Sequence, residues 1–184
     1  SGFERIVINH AWLGQKIADH VQKRGTPDVF FLSSELEALE TAGGIKQAED
    51  LIQAIDYFFV INGDIFCPQF SFEKVFHLAN TFRSSQPQIL AYLFLVPNPS
   101  HNAQGDFSLQ GSMVSNQTPG APSFTFSGIG IYHKDLFKEV GRGEKAKLAP
   151  LLRSAIQTSQ VMGELLEIPW TDVGTPERLA QLNE

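Results

Sequence analysis

The chain has 184 residues, 42% apolar and 11% aromatic, which is enough to bury a full core at the length of one domain, residues 1–184. Its 14 lysines and arginines against 20 acidic residues leave a net charge of −6 without a long run of either sign. No basic stripe is available to neutralise a nucleic-acid backbone, so nucleic acid is not an expected partner. The single cysteine, Cys67, excludes an internal disulfide framework and a Cys-rich zinc site. No window approaches the roughly 20 apolar residues that span a bilayer and no signal peptide opens the chain, so a soluble, cytoplasmic protein with no membrane partner is expected.

The chain enters on the strand-like run Ile6-Val7-Ile8, followed by Leu13, Ile17 and Val21 at helical spacing, a face closed by Gly25. Val29-Phe30-Phe31-Leu32 predicts a strand, and Ile45, Ala48, Leu51, Ile52 and Ile55 predict the inner face of one helix. Tyr57-Phe58-Phe59-Val60-Ile61 has no polar alternation, which predicts a strand buried on both faces in the middle of a sheet. A helix through Phe72, Val75, Phe76 and Ala79 and a buried strand from Ile89 to Val96 follow. Between Asn98 and Pro122 the composition turns to Gly, Ser, Asn, Gln and Pro, with short strand-like pieces at Phe107-Ser108-Leu109 and around Val114. Phe124 to Tyr132 predicts a strand, Lys147 to Gln157 a helix and Val161 to Trp170 a strand, before a last helix with Thr175 as N-cap and Pro176 at its first position. Alternating strands and helices predict an α/β fold with a mostly parallel central sheet.

Ligands in open α/β sheets gather beyond the carboxyl ends of the strands. The run ending at Ile61 delivers Asn62-Gly63-Asp64 to such an edge, where Asp64 offers a hard oxygen ligand for Mg²⁺. Asn-Gly is equally the commonest tight hairpin turn, with an aspartate beside it for turn chemistry alone. Asp172, between a strand and a helix start, is a second candidate ligand, or an acid favoured by the helix dipole. Gly43-Gly44 opens a helix whose bare N–H groups would suit an anion, although a glycine-rich connection gives the same pattern. Lys147, ahead of a helix, is a candidate phosphate contact or an ordinary exposed lysine. The five histidines lie at no zinc-ligand spacing and read as surface or core residues, Trp12 and Trp170 as packing residues, and Cys67 and Ser127 lack a partner that would mark a nucleophile.

Six segments occur in order: Leu39-Glu40-Thr41-Ala42-Gly43-Gly44, Val60-Ile61-Asn62-Gly63-Asp64, Gly105-Asp106-Phe107, Phe124-Thr125-Phe126-Ser127-Gly128-Ile129, Lys147-Leu148-Ala149-Pro150-Leu151-Leu152-Arg153 and Trp170-Thr171-Asp172-Val173-Gly174-Thr175. Together they resemble the sugar-1-phosphate nucleotidyltransferase family over nearly the whole chain. The likeness is greatest to members acting on N-acetylmuramate 1-phosphate with UTP in bacterial cell-wall recycling. It implies a Rossmann-like, GT-A-like three-layer fold and the reaction of an NTP with a sugar 1-phosphate, giving an NDP-sugar and pyrophosphate. It further implies Asp64 and Asp172 as Mg²⁺ ligands, with Asn62 beside the nucleotide. Glu40, Thr41 and Gly43 match the segment lining the nucleoside and Glu35 lies near the position that reads the base. Gly105, Ser127 and Gly128 match the sugar pocket, and Lys147 a recurrent lysine.

The family pattern opens with a strand, a glycine-rich loop with a signature arginine, and a lysine before the first helix. That pattern is not found here, so an N-terminal strand-loop-helix of roughly 40 residues is expected to be missing, with this chain inactive on its own. A sheet edge and apolar helix faces would then be left open to self-association. A mannose- or glucose-1-phosphate nucleotidyltransferase and a non-catalytic nucleotide-sugar-binding domain remain as alternatives.

Overall fold

A computed structural model describes residues 2–24, 28–52, 55–117 and 120–183. In chain order the elements are β1 (Ile6–His10), α1 (Gly14–Lys23), β2 (Phe30–Ser34), α2 (Glu40–Gln47), α3 (Glu49–Ile52), β3 (Tyr57–Ile61), β4 (Ile65–Phe66), α4 (Phe72–Ser85), β5 (Ala91–Val96), β6 (Phe107–Gln110), β7 (Met113–Asn116), β8 (Ser123–His133), α5 (Leu148–Gln157), β9 (Val161–Leu165), β10 (Thr171–Asp172) and α6 (Pro176–Gln181). They sort into two compact units, one of residues 1–56 with 134–151, the other of residues 57–133 with 152–184.

In the first unit β1 and β2 pair in parallel, Ile6 opposite Phe30 and His10 opposite Ser34. Arg5 stacks over the Phe31 ring at 4.0 Å and donates to the Leu51 carbonyl. The helix expected from Leu13, Ile17 and Val21 is present as α1, but none of its residues is buried and Leu13 stands before it in a left-handed conformation, φ 55°. Gly25, the expected stop, lies outside the described residues. Trp12, expected as a packing residue, is 84% exposed. The single helix expected through Ile45, Leu51 and Ile55 is two: α2 ends at Gln47 with Ala48 as its C-cap and α3 ends at Ile52, with Ile55 beyond both and exposed.

The second unit is built on a six-stranded sheet in the order β3-β8-β5-β9-β7-β6. Among the described strands β5–β9 is its one parallel pairing, which corrects the expectation of a mostly parallel sheet to a mixed one. The cause is β8, which runs antiparallel to both β3 and β5 and so separates two strands that crossover units would have placed side by side. β3 is therefore an end strand, half-buried along most of its length, and not the central strand its apolar run predicts. The centre belongs to β5, whose six residues are all buried. Phe70, Phe94, Tyr92 and Phe82 carry an aromatic chain from this strand to α4, with ring centroids 5.0–5.5 Å apart. The polar stretch after Asn98 supplies the β6–β7 hairpin, and the first residues of β8 pair back onto β6.

Candidate active site

Asn62, Gly63 and Asp64 leave the end of β3 in a turn closed by the Ile65 N–H donating to the Asn62 carbonyl at 3.3 Å, but the strand that follows does not pair back on β3. β4, which follows, pairs with β10 instead: Ile65 lies opposite Asp172 and Phe66 opposite Thr171. Gly63 has no positive φ, and a β-carbon on it would meet nothing within 4 Å, so the Asn-Gly pair is not serving as a tight hairpin turn. The short β4–β10 ladder, extended by the Val173 N–H donating to the Asp64 carbonyl at 2.8 Å, brings the two aspartates together.

They meet over Gly174. A β-carbon there would sit 2.9 Å from Asp172 Oδ1, 3.2 Å from Asp64 Oδ2 and 3.3 Å from Arg178 Nη2. Asp172 Oδ1 accepts the Gly174 N–H at 2.8 Å, and Oδ2 accepts Arg178 Nη1 at 2.9 Å. His101 Nε2 lies 3.2 Å from the same guanidinium nitrogen and 3.6 Å from Asp172 Oδ2. Thr175 caps α6 by accepting the Arg178 N–H, with Pro176 at the first helical position, which points the Arg178 side chain back at the aspartates. Neither Arg178 nor His101 was a sequence candidate. The available signal was a cation six residues beyond Asp172, in the first turns of a helix whose dipole disfavours it.

Ser127 and Gly128 form a bulge in β8: Phe94 pairs with Ile129 but the next residue, Leu95, pairs with Phe126. Gly128 takes φ 77°, and a β-carbon on it would stand 2.9 Å from Asn62 Nδ2, while its carbonyl accepts the Asn62 N–H. Asn62, Asp64, Gly128 and Asp172 are thus neighbours. Ser127 points the other way: its side chain is fully buried, its Oγ donates to the Phe94 carbonyl at 2.6 Å, and its own carbonyl accepts the Trp170 indole N–H. Gly105, at φ 68°, is buried behind the Asn98 amide. Next to it Asp106 accepts the Phe126 N–H at 2.8 Å and the Asn102 amide at 3.2 Å, and Thr125 donates to Asn98 at 2.9 Å. This network ties the loop carrying His101 to β8.

In the first unit Glu35 divides its carboxylate between the Asn9 amide (3.0 Å) and the N–H of Leu39, the N-cap of α2 (2.9 Å). Glu40 follows in a left-handed conformation, φ 62°, a strained start for an exposed non-glycine residue. The N–H groups expected to be bare at Gly43 are not: Ala42 and Gly43 both donate to the Ala146 carbonyl, and a side chain on Gly43 would run into the Glu144 carbonyl. Gly43 and Gly44 lie inside α2 and permit this close approach. Thr41 is half-buried on the same helix, and Lys147 is exposed just ahead of α5.

Among the described residues no group of three or more His, Cys, Asp and Glu is arranged to hold a metal ion. A site of two carboxylates nonetheless suits Mg²⁺, a hard cation that takes one or two protein carboxylates and fills its octahedron with water and substrate phosphate. Asp64 Oδ2 and Asp172 Oδ1 converging on one open face fit that donor set. Cys67 has the opposite of an activated thiol, because burial pushes its pKa up.

No family model matches the sequence. The chain is 43% identical over 185 residues to the N-acetylmuramate alpha-1-phosphate uridylyltransferase of Neisseria meningitidis serogroup B, an alignment covering 98% of this chain and 78% of that protein. Its fold is similar to that of HddC from Yersinia pseudotuberculosis, with TM-score 0.71 and 21% identity over 98% of this chain and 77% of that one. It is similar also to a UDP-glucose pyrophosphorylase complexed with UDP-glucose, with TM-score 0.69 and 12% identity over 97% and 78% of the two chains. At these identities the two structures share the α/β fold with this chain.

Proposed function

The chain belongs to the sugar-1-phosphate nucleotidyltransferases, and from that premise we propose that it transfers a uridylyl group from UTP to N-acetylmuramate 1-phosphate, giving the UDP-sugar and pyrophosphate. The choice of base and sugar is supported by the Neisseria relative, which is named for that reaction. On this proposal the reaction belongs to cell-wall recycling in a bacterial cytoplasm. The observation that carries the chemistry is the convergence of Asp64 and Asp172 over Gly174.

Attack by a phosphate oxygen on the α-phosphorus brings two anions together, so the barrier falls chiefly through positioning and charge neutralisation. Mg²⁺ held by Asp64 and Asp172 would supply positive charge at the α-phosphate. The β4–β10 ladder fixes the backbone of both aspartates before any ligand arrives, and the Asp172 carboxylate is further tied through both of its oxygens. Asn62, kept close by the absent side chain of Gly128, presents an amide beside the carboxylates for the nucleotide. Gly105, Ser127 and Gly128 are the proposed sugar-side residues, Ser127 acting through the bulge it stabilises, its hydroxyl being spent on Phe94. Within the first unit Glu35, Glu40, Thr41 and Gly43 are the proposed nucleoside contacts, and Lys147 is a proposed contact to the sugar-phosphate substrate.

Calorimetric titration with UDP-N-acetylmuramate in Mg²⁺, beside GDP-mannose and UDP-glucose, tests the proposal, together with pyrophosphate release from UTP and N-acetylmuramate 1-phosphate. Preferential binding of UDP-N-acetylmuramate, lost in EDTA, is the expected result. Equal or tighter binding of GDP-mannose would remove the assignment of base and sugar.

A further inference from the structure

The pair of aspartates carries its own counter-ion. Arg178 is about three-quarters buried, as is Asp172, and its Nη1 lies 2.9 Å from Asp172 Oδ2. Its Nη2 reaches 3.3 Å from the point above Gly174 on which Asp64 Oδ2 and Asp172 Oδ1 also converge. A cation bridging the two carboxylates would therefore lie beside a guanidinium, the one side-chain cation that stays charged at any working pH. The site without ligand carries two carboxylates and one guanidinium, with the His101 imidazole 3.6 Å from Asp172 Oδ2, and no third acid joins them among the described residues.

We infer that Arg178 holds the two-aspartate site at low cation affinity until a phosphate-bearing ligand arrives, so that the divalent cation loads together with the substrate. The inference rests on the reading of Asp64 and Asp172 as cation ligands. A divalent cation and a guanidinium about 5 Å apart repel each other by an amount worth roughly tenfold in affinity even at the dielectric of water, and salt reduces this to about fivefold. A phosphate reverses the balance. Its oxygens complete the cation's coordination and accept hydrogen bonds from the guanidinium, whose five donors are only partly spent on Asp172. The Thr175 cap and Pro176 fix the start of α6, so Arg178 holds this position without a ligand to order it.

The test is Mn²⁺ binding to substrate-free protein, followed by electron paramagnetic resonance, for the wild type, Arg178→Met, Arg178→Lys and Asp64→Asn, repeated with saturating UDP-N-acetylmuramate. Arg178→Met is expected to bind Mn²⁺ about fivefold more tightly than wild type without nucleotide sugar, and to lose that advantage with it. Arg178→Lys keeps the charge and should stay within about twofold of wild type. Mn²⁺ binding by Arg178→Met that is Asp64-dependent but equal to or weaker than wild type would overturn the inference and leave the metal reading standing. No Mn²⁺ binding in any variant, with or without nucleotide sugar, would remove the metal reading and the inference with it.

Discussion

Asp172 spends each of its oxygens on a different partner, Gly174 N–H and Arg178, while Asp64 is exposed and held mainly through its backbone. The two substitutions therefore separate chemistry from stability in different proportions. Asp64→Asn should lower Mg²⁺-dependent binding of the nucleotide sugar by at least about tenfold with a melting temperature within a degree or two of wild type. Asp172→Asn should cause a similar loss of binding and cost a further ~1 kcal/mol of stability, because an ion pair and a turn are weakened. Isothermal titration and thermal melts on the same samples check both. The glycines give a sharper contrast. Gly128→Ala forces a side chain into φ 77° and against the Asn62 amide, and should destabilise by about 1–3 kcal/mol while displacing Asn62. Gly63→Ala, which faces open space at an ordinary φ, should stay within about 0.5 kcal/mol.

At the scale of elements, two apolar runs that look alike in sequence take opposite places. Tyr57-Phe58-Phe59-Val60-Ile61 forms the end strand β3, and Ala91-Tyr92-Leu93-Phe94-Leu95-Val96 the fully buried β5. Composition exposes that both are strands but not which is central, because the deciding strand, β8, arrives later in the chain and inserts between them. Local signals were legible where the chemistry was local: the Thr175 cap, Pro176 at the first helical position and the helix ending at Gln157 all follow from the sequence. The break at Ala48 and the antiparallel course of β8 were not, being settled by tertiary contacts. At the site, the aspartates could be read as strand-end residues, whereas Arg178 and His101 reach them only through the fold of α6 and of the loop tied to β8 by Asp106. The strand positions imply unequal sensitivity. Leu93→Ala, at a fully buried residue, should cost about 2–5 kcal/mol in denaturant unfolding, and Val60→Ala, on the half-buried end strand, about 1 kcal/mol or less. Equal losses at the two positions would mean that β3 is packed as a central strand.

At the scale of the whole molecule, the contacts gather into two compact units, each assembled from stretches far apart in sequence. No helix among the described residues is long and apolar enough to cross a membrane. The second unit buries tyrosines in its core. Tyr132 is fully buried and Tyr92 nearly so. Burial raises the pKa of both phenols, and for Tyr92 the neighbouring Glu164 adds to the rise. In the unfolded chain the same phenols ionise near pH 10. Below that pH both states carry the proton and stability does not depend on it. Above it the unfolded chain releases protons that the folded unit retains, so ν_U falls below ν_N and the free energy of unfolding decreases with pH. Each tyrosine then costs up to about 1.4 kcal/mol per pH unit. Urea unfolding followed from pH 8 to 11.5 should show a shallow decline from about pH 8.5, where the Cys67 thiol starts to ionise in the unfolded chain, and a steeper one from about pH 10, where the phenols follow. Tyr92→Phe, which removes one of the titrating groups while keeping the ring against Phe82 and Phe94, should make the steeper part of that decline shallower by up to about 1.4 kcal/mol per pH unit. A decline of unchanged slope in this variant would move the alkaline sensitivity away from the Tyr92 phenol.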